Sequence, residues 1–191
     1  MSNFRKALRR FFLDQTKTTK PEEFCSRLQA IGVNAKIIRD AYSYDDDGDP
    51  QTREIWIAVT GEPIQLIIVR QSIYLDGDTS RSEVNAHYLV NDSRVAGEAY
   101  PFIIGTVRMK NFPLFGKVVD LQWEGSDTRL GLINQLQGDM SIKRAIMKGH
   151  DIKISAGDGE WAISPKNFNF PTDEEWNCYQ AIARYLLALK F

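Results

Sequence analysis

The sequence predicts a single α+β domain: a largely antiparallel β-sheet with helices packed on one face, preceded by a separable N-terminal amphipathic helix. Two observations set the class. Short β-branched runs recur between residues 35 and 164, divided by connections rich in glycine, proline or acidic residues. Helical periodicity is confined to a few capped segments before, between and after those runs. A third observation sets the size. With 191 residues, 43% hydrophobic and 26% charged, the chain has the composition of one generous globular domain and not of a disordered segment.

From Asn3 to Asp14, Phe4, Ala7, Leu8, Phe11 and Phe12 recur at helical spacing, with Arg5, Lys6, Arg9 and Arg10 on the opposite arc. This is an amphipathic helix over residues 1–14 with a basic back. The polar run "QTKTTK", residues 15–20, reads as a linker, and residues 21–191 form the body. Thr19 and Glu22 have capping-box spacing, Pro21 suits a first helical turn, and Phe24, Leu28 and Ile31 form a stripe ended by Gly32.

Strand material follows. "AKIIRDAY" and "EIWIAVT" flank an acidic stretch, and Gly61-Glu62-Pro63 joins the second run to "IQLIIVRQSIYL". That last run is apolar on successive residues, so burial on both faces is expected. Residues 76–81 read as a polar loop, and residues 83–101 carry no clear pattern. "FIIGTVRM" and "KVVDLQWEG" resume the strands. Ser126 is placed to cap a helix carrying Leu130, Ile133 and Leu136 and closed by Gly138. "MSIKRAIMKG" is ambiguous, whereas "DIKIS" and "EWAIS" flank a hairpin turn of Ala-Gly-Asp-Gly. Thr172 and Glu175 make a second capping box for a C-terminal helix lined by Trp176, Tyr179, Ile182, Ala183 and Leu186. A helix followed by a hairpin with tryptophan after glutamate occurs twice, so residues 21–75 and 117–191 are two candidate similar halves.

A net charge of −1 gives no global attraction to nucleic acid or anionic membrane. Cys25 and Cys178 are far apart and suit two reduced thiols packed as small apolar residues. No apolar run has the length of a membrane span, and charges interrupt the N-terminal apolar residues. A soluble, cytoplasmic protein is expected.

The stretch "YDDDGDP" poses the question of a cation site. With Gly48 at the sixth position of a calcium loop, Asp45, Asp47, Asp49 and Glu54 take ligand positions, but Ser43 and Pro50 do not fit and the flanks are strands. A solvated hairpin tip without metal is therefore expected. His87 and His150 have no partner at zinc-helix spacing, and "GDGEWA" lies between strands where a dinucleotide loop would enter a helix. Asp120, Asp151 and Lys153 are a permissive set for metal-assisted phosphodiester hydrolysis. The expected function is non-catalytic, without cofactor: an adaptor or chaperone-like protein that binds another protein or a second copy of itself. Its contact stripe would be Phe4, Leu8, Phe11 and Phe12, with a membrane surface as a further possible target of the N-terminal helix. Nucleic acid is disfavoured, because the aromatic and basic residues occupy opposite arcs. The alternative is a metal-dependent phosphodiesterase or nuclease using Asp120, Asp151 and Lys153.

Overall fold

The computed structural model describes residues 21–44, 50–76, 79–96, 102–111, 117–127 and 130–191. The N-terminal helix, its linker and the aspartates at 45, 47 and 49 lie outside the described residues. The elements run α1 (Pro21–Ala30), β1 (Asn34–Tyr44), β2 (Pro50–Thr60), β3 (Leu66–Asp76) and β4 (Thr79–Asn91), then a 3-10 turn at Ser93–Val95. β5 (Ile103–Lys110), β6 (Val118–Gly125), α2 (Leu132–Gly138), α3 (Met140–Lys148), β7 (Ile152–Gly157), β8 (Glu160–Pro165) and α4 (Asp173–Ala188) complete the fold. The eight strands form one antiparallel sheet in the order β1-β2-β3-β4-β8-β7-β5-β6.

One face of that sheet makes the core. Ile57, Ile67, Tyr88 and Ile163 sit side by side on neighbouring strands, and each is at most 1% exposed. Phe24 and Leu28 of α1, Leu132 and Leu136 of α2, Ile142 and Ile146 of α3, and Trp176, Ile182 and Leu186 of α4 join them in one cluster. Alternation with period two therefore gives the sheet an inner, helix-covered face and an outer face. The run expected to be buried on both faces is buried on one: Ile67 and Val69 point inward, whereas Ile68 is half-buried and Arg70 exposed.

Both edge strands are tied to a neighbouring helix by a glutamine. Gln29 of α1 donates from Nε2 to the Ala35 carbonyl of β1 (3.0 Å). Gln137 of α2 accepts from the Trp123 N–H (3.1 Å) and donates to the Leu121 carbonyl (3.1 Å), so its amide stands in for a ninth strand along β6. Such bonds satisfy backbone groups that an edge otherwise offers to any passing strand. Gly125 closes β6 at φ +139°, where a Cβ would lie 2.2 Å from the Ile103 carbonyl oxygen.

Several elements differ from expectation. Residues 79–91 are a strand, paired to β3 from Asp76↔Thr79 to Leu66↔Leu89. Its inward set, Val84, Ala86, Tyr88 and Val90, alternates with Asn85, His87 and Leu89, but residues 79–83 are polar throughout and carry no alternation. The third helix begins at Leu132 and not after Ser126. Its first turn is satisfied by Asp127, which accepts from the Ile133 N–H at 2.5 Å, while the Ser126 hydroxyl lies against the Ile103 carbonyl. "MSIKRAIMK" is helical because Asp139 caps it, accepting from the Ser141 and Ile142 N–H groups. The C-terminal helix starts with the expected Thr172/Glu175 capping box. The two candidate halves place their hairpins differently: β1–β2 lies at the sheet edge and β7–β8 in its interior. Trp56 faces outward, whereas Trp161 is fully buried.

Trp176 is 4% exposed and packs beside Tyr88. Trp176→Ala is expected to cost about 3–5 kcal/mol, read as a lower urea midpoint at unchanged slope. Gln180 of α4 is 2% exposed, and neither amide atom has a hydrogen-bond partner among the described residues. Since an unpaired buried amide destabilises by about 1–3 kcal/mol, Gln180→Met should raise the melting temperature.

Candidate functional site: the outer face of the sheet

The outer face is organised by register. Arg39 stands opposite Trp56, Trp56 opposite Ile68, and Ile68 opposite His87. On the far side of the β4–β8 junction Ser164 continues the line, opposite Lys153, which in turn faces Gly105. This row crosses most of the sheet. A second row runs beside it through Lys36, Ala58, Leu66, Leu89 and Ala162 to Ser155 and Ile103. None of the apolar residues in either row belongs to the core cluster.

Local contacts give the face its chemistry. The Arg39 guanidinium lies 4.9 Å from the Trp56 ring centre, a cation–π contact at the sheet edge. Glu54 accepts from Arg70 Nε at 2.8 Å and from the Trp56 indole at 3.4 Å, so the ring is held between a cation and a carboxylate. His87 Nδ1 is 2.7 Å from Ser164 Oγ. Burial disfavours charge on His87, and the nearby Arg70 and Lys153 cations add to this, so its pKa lies below the ordinary imidazole value. Ile103, Val107 and Met109 continue the apolar surface over β5, each 40–41% exposed.

The residues anticipated for chemistry are used elsewhere. Asp120 is ion-paired with Lys143 of α3, and the hydrogen bond from that lysine lowers its pKa. Asp151 accepts from Arg108 Nε at 2.7 Å, and the same guanidinium donates to the carbonyls of Ile146 and Gly149. That arginine closes the C-terminal end of α3. Lys153 is exposed between the inward Ile152 and Ile154, hence on the outer face. Asp120 and Asp151 are thus each paired with a different cation, Lys143 and Arg108. Among the described residues no three His, Cys, Asp or Glu side chains gather to hold a metal ion. Glu54, the described member of the candidate calcium loop, lies within β2 and is paired with Arg70.

An open cleft of about 530 Å³ lies on the helical side, between Arg27, Lys148, His150, Asn169 and the start of α4. Its charged groups already have partners within the chain: Arg27 with Glu23, Lys148 with Glu174, and Glu175 with Thr172. His150 is likewise held by Asn169 at 2.5 Å. Both thiols are free and buried, and burial pushes the Cys178 thiol up to about 12, which makes it unreactive near neutrality. No helix among the described residues is long and apolar enough to cross a membrane.

Sequence reasoning missed the outer face because its members are scattered over β1 to β8 and become neighbours only through register. No protein-family model, curated protein or solved structure matches the chain. Fold and site together define an α+β domain with one buried and one outward sheet face.

The lowered His87 pKa has a measurable consequence. Above about pH 6.5 the group is neutral in both the folded and the unfolded chain and adds nothing to pH dependence. As pH falls through that value the unfolded chain takes the proton first, so stability drops until the folded group titrates. Urea denaturation between pH 7.5 and pH 5 should show this slope, and His87→Gln should flatten it.

Proposed function

We propose that the protein is a non-catalytic binding module of the adaptor type, which holds an apolar segment of a partner protein against the outer face of its sheet. The observation that carries this is the Trp56 strip: an aromatic ring and aliphatic side chains aligned by register, outside the core and bordered by charged residues. Interfaces draw their energy from such aromatic anchors and their specificity from a polar rim. Lys36, Arg39 and Arg70 are exposed around Trp56 and favour a partner segment flanked by carboxylates. A protein partner suits the surface better than a nucleic acid, because a stacking platform uses several aromatic rings and these two rows contain Trp56 and His87 alone.

The test is comparative capture from native lysate by the intact protein and by Trp56→Ala. A discrete partner retained by the first and reduced at least tenfold with the second is expected, with weaker retention as salt rises because the rim is charged. Equal retention by both proteins would place the contact elsewhere.

A further inference from the structure

We infer that Lys153, Ser164 and His87 form an oxyanion subsite on the outer face, which takes a carboxylate or phosphate group carried by the partner segment. The subsite belongs to this chain alone; the identity of its carrier rests on the binding role proposed above.

Register brings the three side chains together. Ser164 of β8 stands directly opposite Lys153 of β7, and its Oγ lies 2.7 Å from His87 Nδ1 on β4. Three adjacent strands thus contribute one polar side chain each to a line across the sheet. On its other side Lys153 faces Gly105 of β5. A Cβ added at Gly105 would meet only the Ile152 carbonyl oxygen, at 3.6 Å, so the place of that side chain is open space beside the lysine. Ile103 and Val107, two residues away on either side, wall this notch along β5, at 41% and 40% exposure.

The charges around the notch are unbalanced. Lys153 is exposed and, among the described residues, holds no carboxylate, whereas the next cation, Arg70, is engaged by Glu54. Burial opposes a charge on the His87 ring, and the Arg70 and Lys153 cations oppose it further, against a smaller pull from Glu54. These groups face the ring from β3, β7 and β2, while β8 offers the uncharged Ser164. Their balance is positive, and a local positive field attracts an external anion.

Hydrogen bonding points the same way. A neutral imidazole carries one N–H. If Nδ1 accepts from the Ser164 hydroxyl, Nε2–H is left to donate; if Nδ1–H donates to Ser164, the hydroxyl proton is left. Either tautomer sets one neutral donor beside the lysine ammonium, a pairing that suits an oxyanion. Four strand spacings separate Lys153 from Trp56, about 19 Å or roughly six extended residues. The partner segment should carry its anionic group at that interval from the residue seated on Trp56.

The chain has two histidines, so their ring signals are readily separated by NMR, with His87→Gln identifying those of His87. The full-length protein is titrated with inorganic phosphate and, separately, with acetate, each replacing chloride at fixed ionic strength. At least one anion should move the His87 signals saturably and raise the His87 pKa toward its ordinary value, because bound negative charge favours the imidazolium. Lys153→Gln should weaken that binding roughly fivefold, the weight of one exposed ion pair, and Lys153→Arg should restore it. Saturation by acetate at concentrations like those of phosphate assigns a carboxylate carrier, and a clear preference for phosphate assigns a phosphorylated one. His87 signals unmoved by both anions would overturn the inference, as would equal movement in Lys153→Gln. So would movement of His150 alone, which would place the anion in the cleft on the helical side. The titration contains no partner. Its failure leaves the Trp56-dependent capture interpretable, and failure of that capture leaves the subsite standing.

Discussion

The sheet holds together at the bond between the Trp161 indole and Asp92. β8 joins β4, the last strand of the first meander, to β7 and the strands beyond. Along that junction Trp161 stands opposite Val90. The indole N–H of this fully buried ring donates to Asp92 Oδ2 at 3.0 Å. Asp92 also receives two bonds from the Arg94 guanidinium, at 2.7 and 2.8 Å, and that guanidinium reaches on to the carbonyls of Leu187 and Leu189 at the end of α4. One aspartate thus fixes the end of β4, the seam of the sheet and the final turn of the last helix. Hydrogen bonds from Arg94 hold its pKa below the usual carboxylate value, so this node keeps its charge across the neutral range.

From that node the asymmetry of the two faces follows. With Trp161 and Ile163 turned inward, alternation sends Ala162 and Ser164 outward, and every paired strand inherits the same parity. The helices then cover the inner side. Phe24 against Phe168 and Phe170, and Tyr88 against Trp176 and Tyr179, leave little of that side for a ligand apart from a cleft whose charges are already matched. The outer side receives a mixture of apolar, polar and charged residues, among them Trp56, Ile68, His87, Ser164 and Lys153.

The helical ends show how charge supports this packing. Arg108 gathers the last carbonyls of α3 and is itself neutralised by Asp151, while Asp139 opens the same helix and accepts from the Tyr185 hydroxyl of α4 at 3.1 Å. These carboxylates sit at strand and helix ends, where unpaired backbone groups need partners. The same residue types at the same places resemble a catalytic set when seen only as spacing.

The sequence by itself determined the class of fold, the helices at 21–30 and 173–188 and most strands, because the Thr172/Glu175 capping box, apolar helical stripes and β-branched runs act within a few residues. It also determined that Trp176, Tyr179, Ile182 and Leu186 enter a core. The strand at 79–91 was legible only in its alternate residues, and the start of α2 depended on Asp127 reaching six residues forward. Tertiary structure alone decided that Asp120 pairs with Lys143, that Asp151 serves Arg108, and that Trp56, Ile68 and His87 adjoin one another on one face. Those relations are set by strand register and by the order of eight strands, and pairings between residues as distant as His87 and Ser164, 77 positions apart, leave no periodicity in the chain.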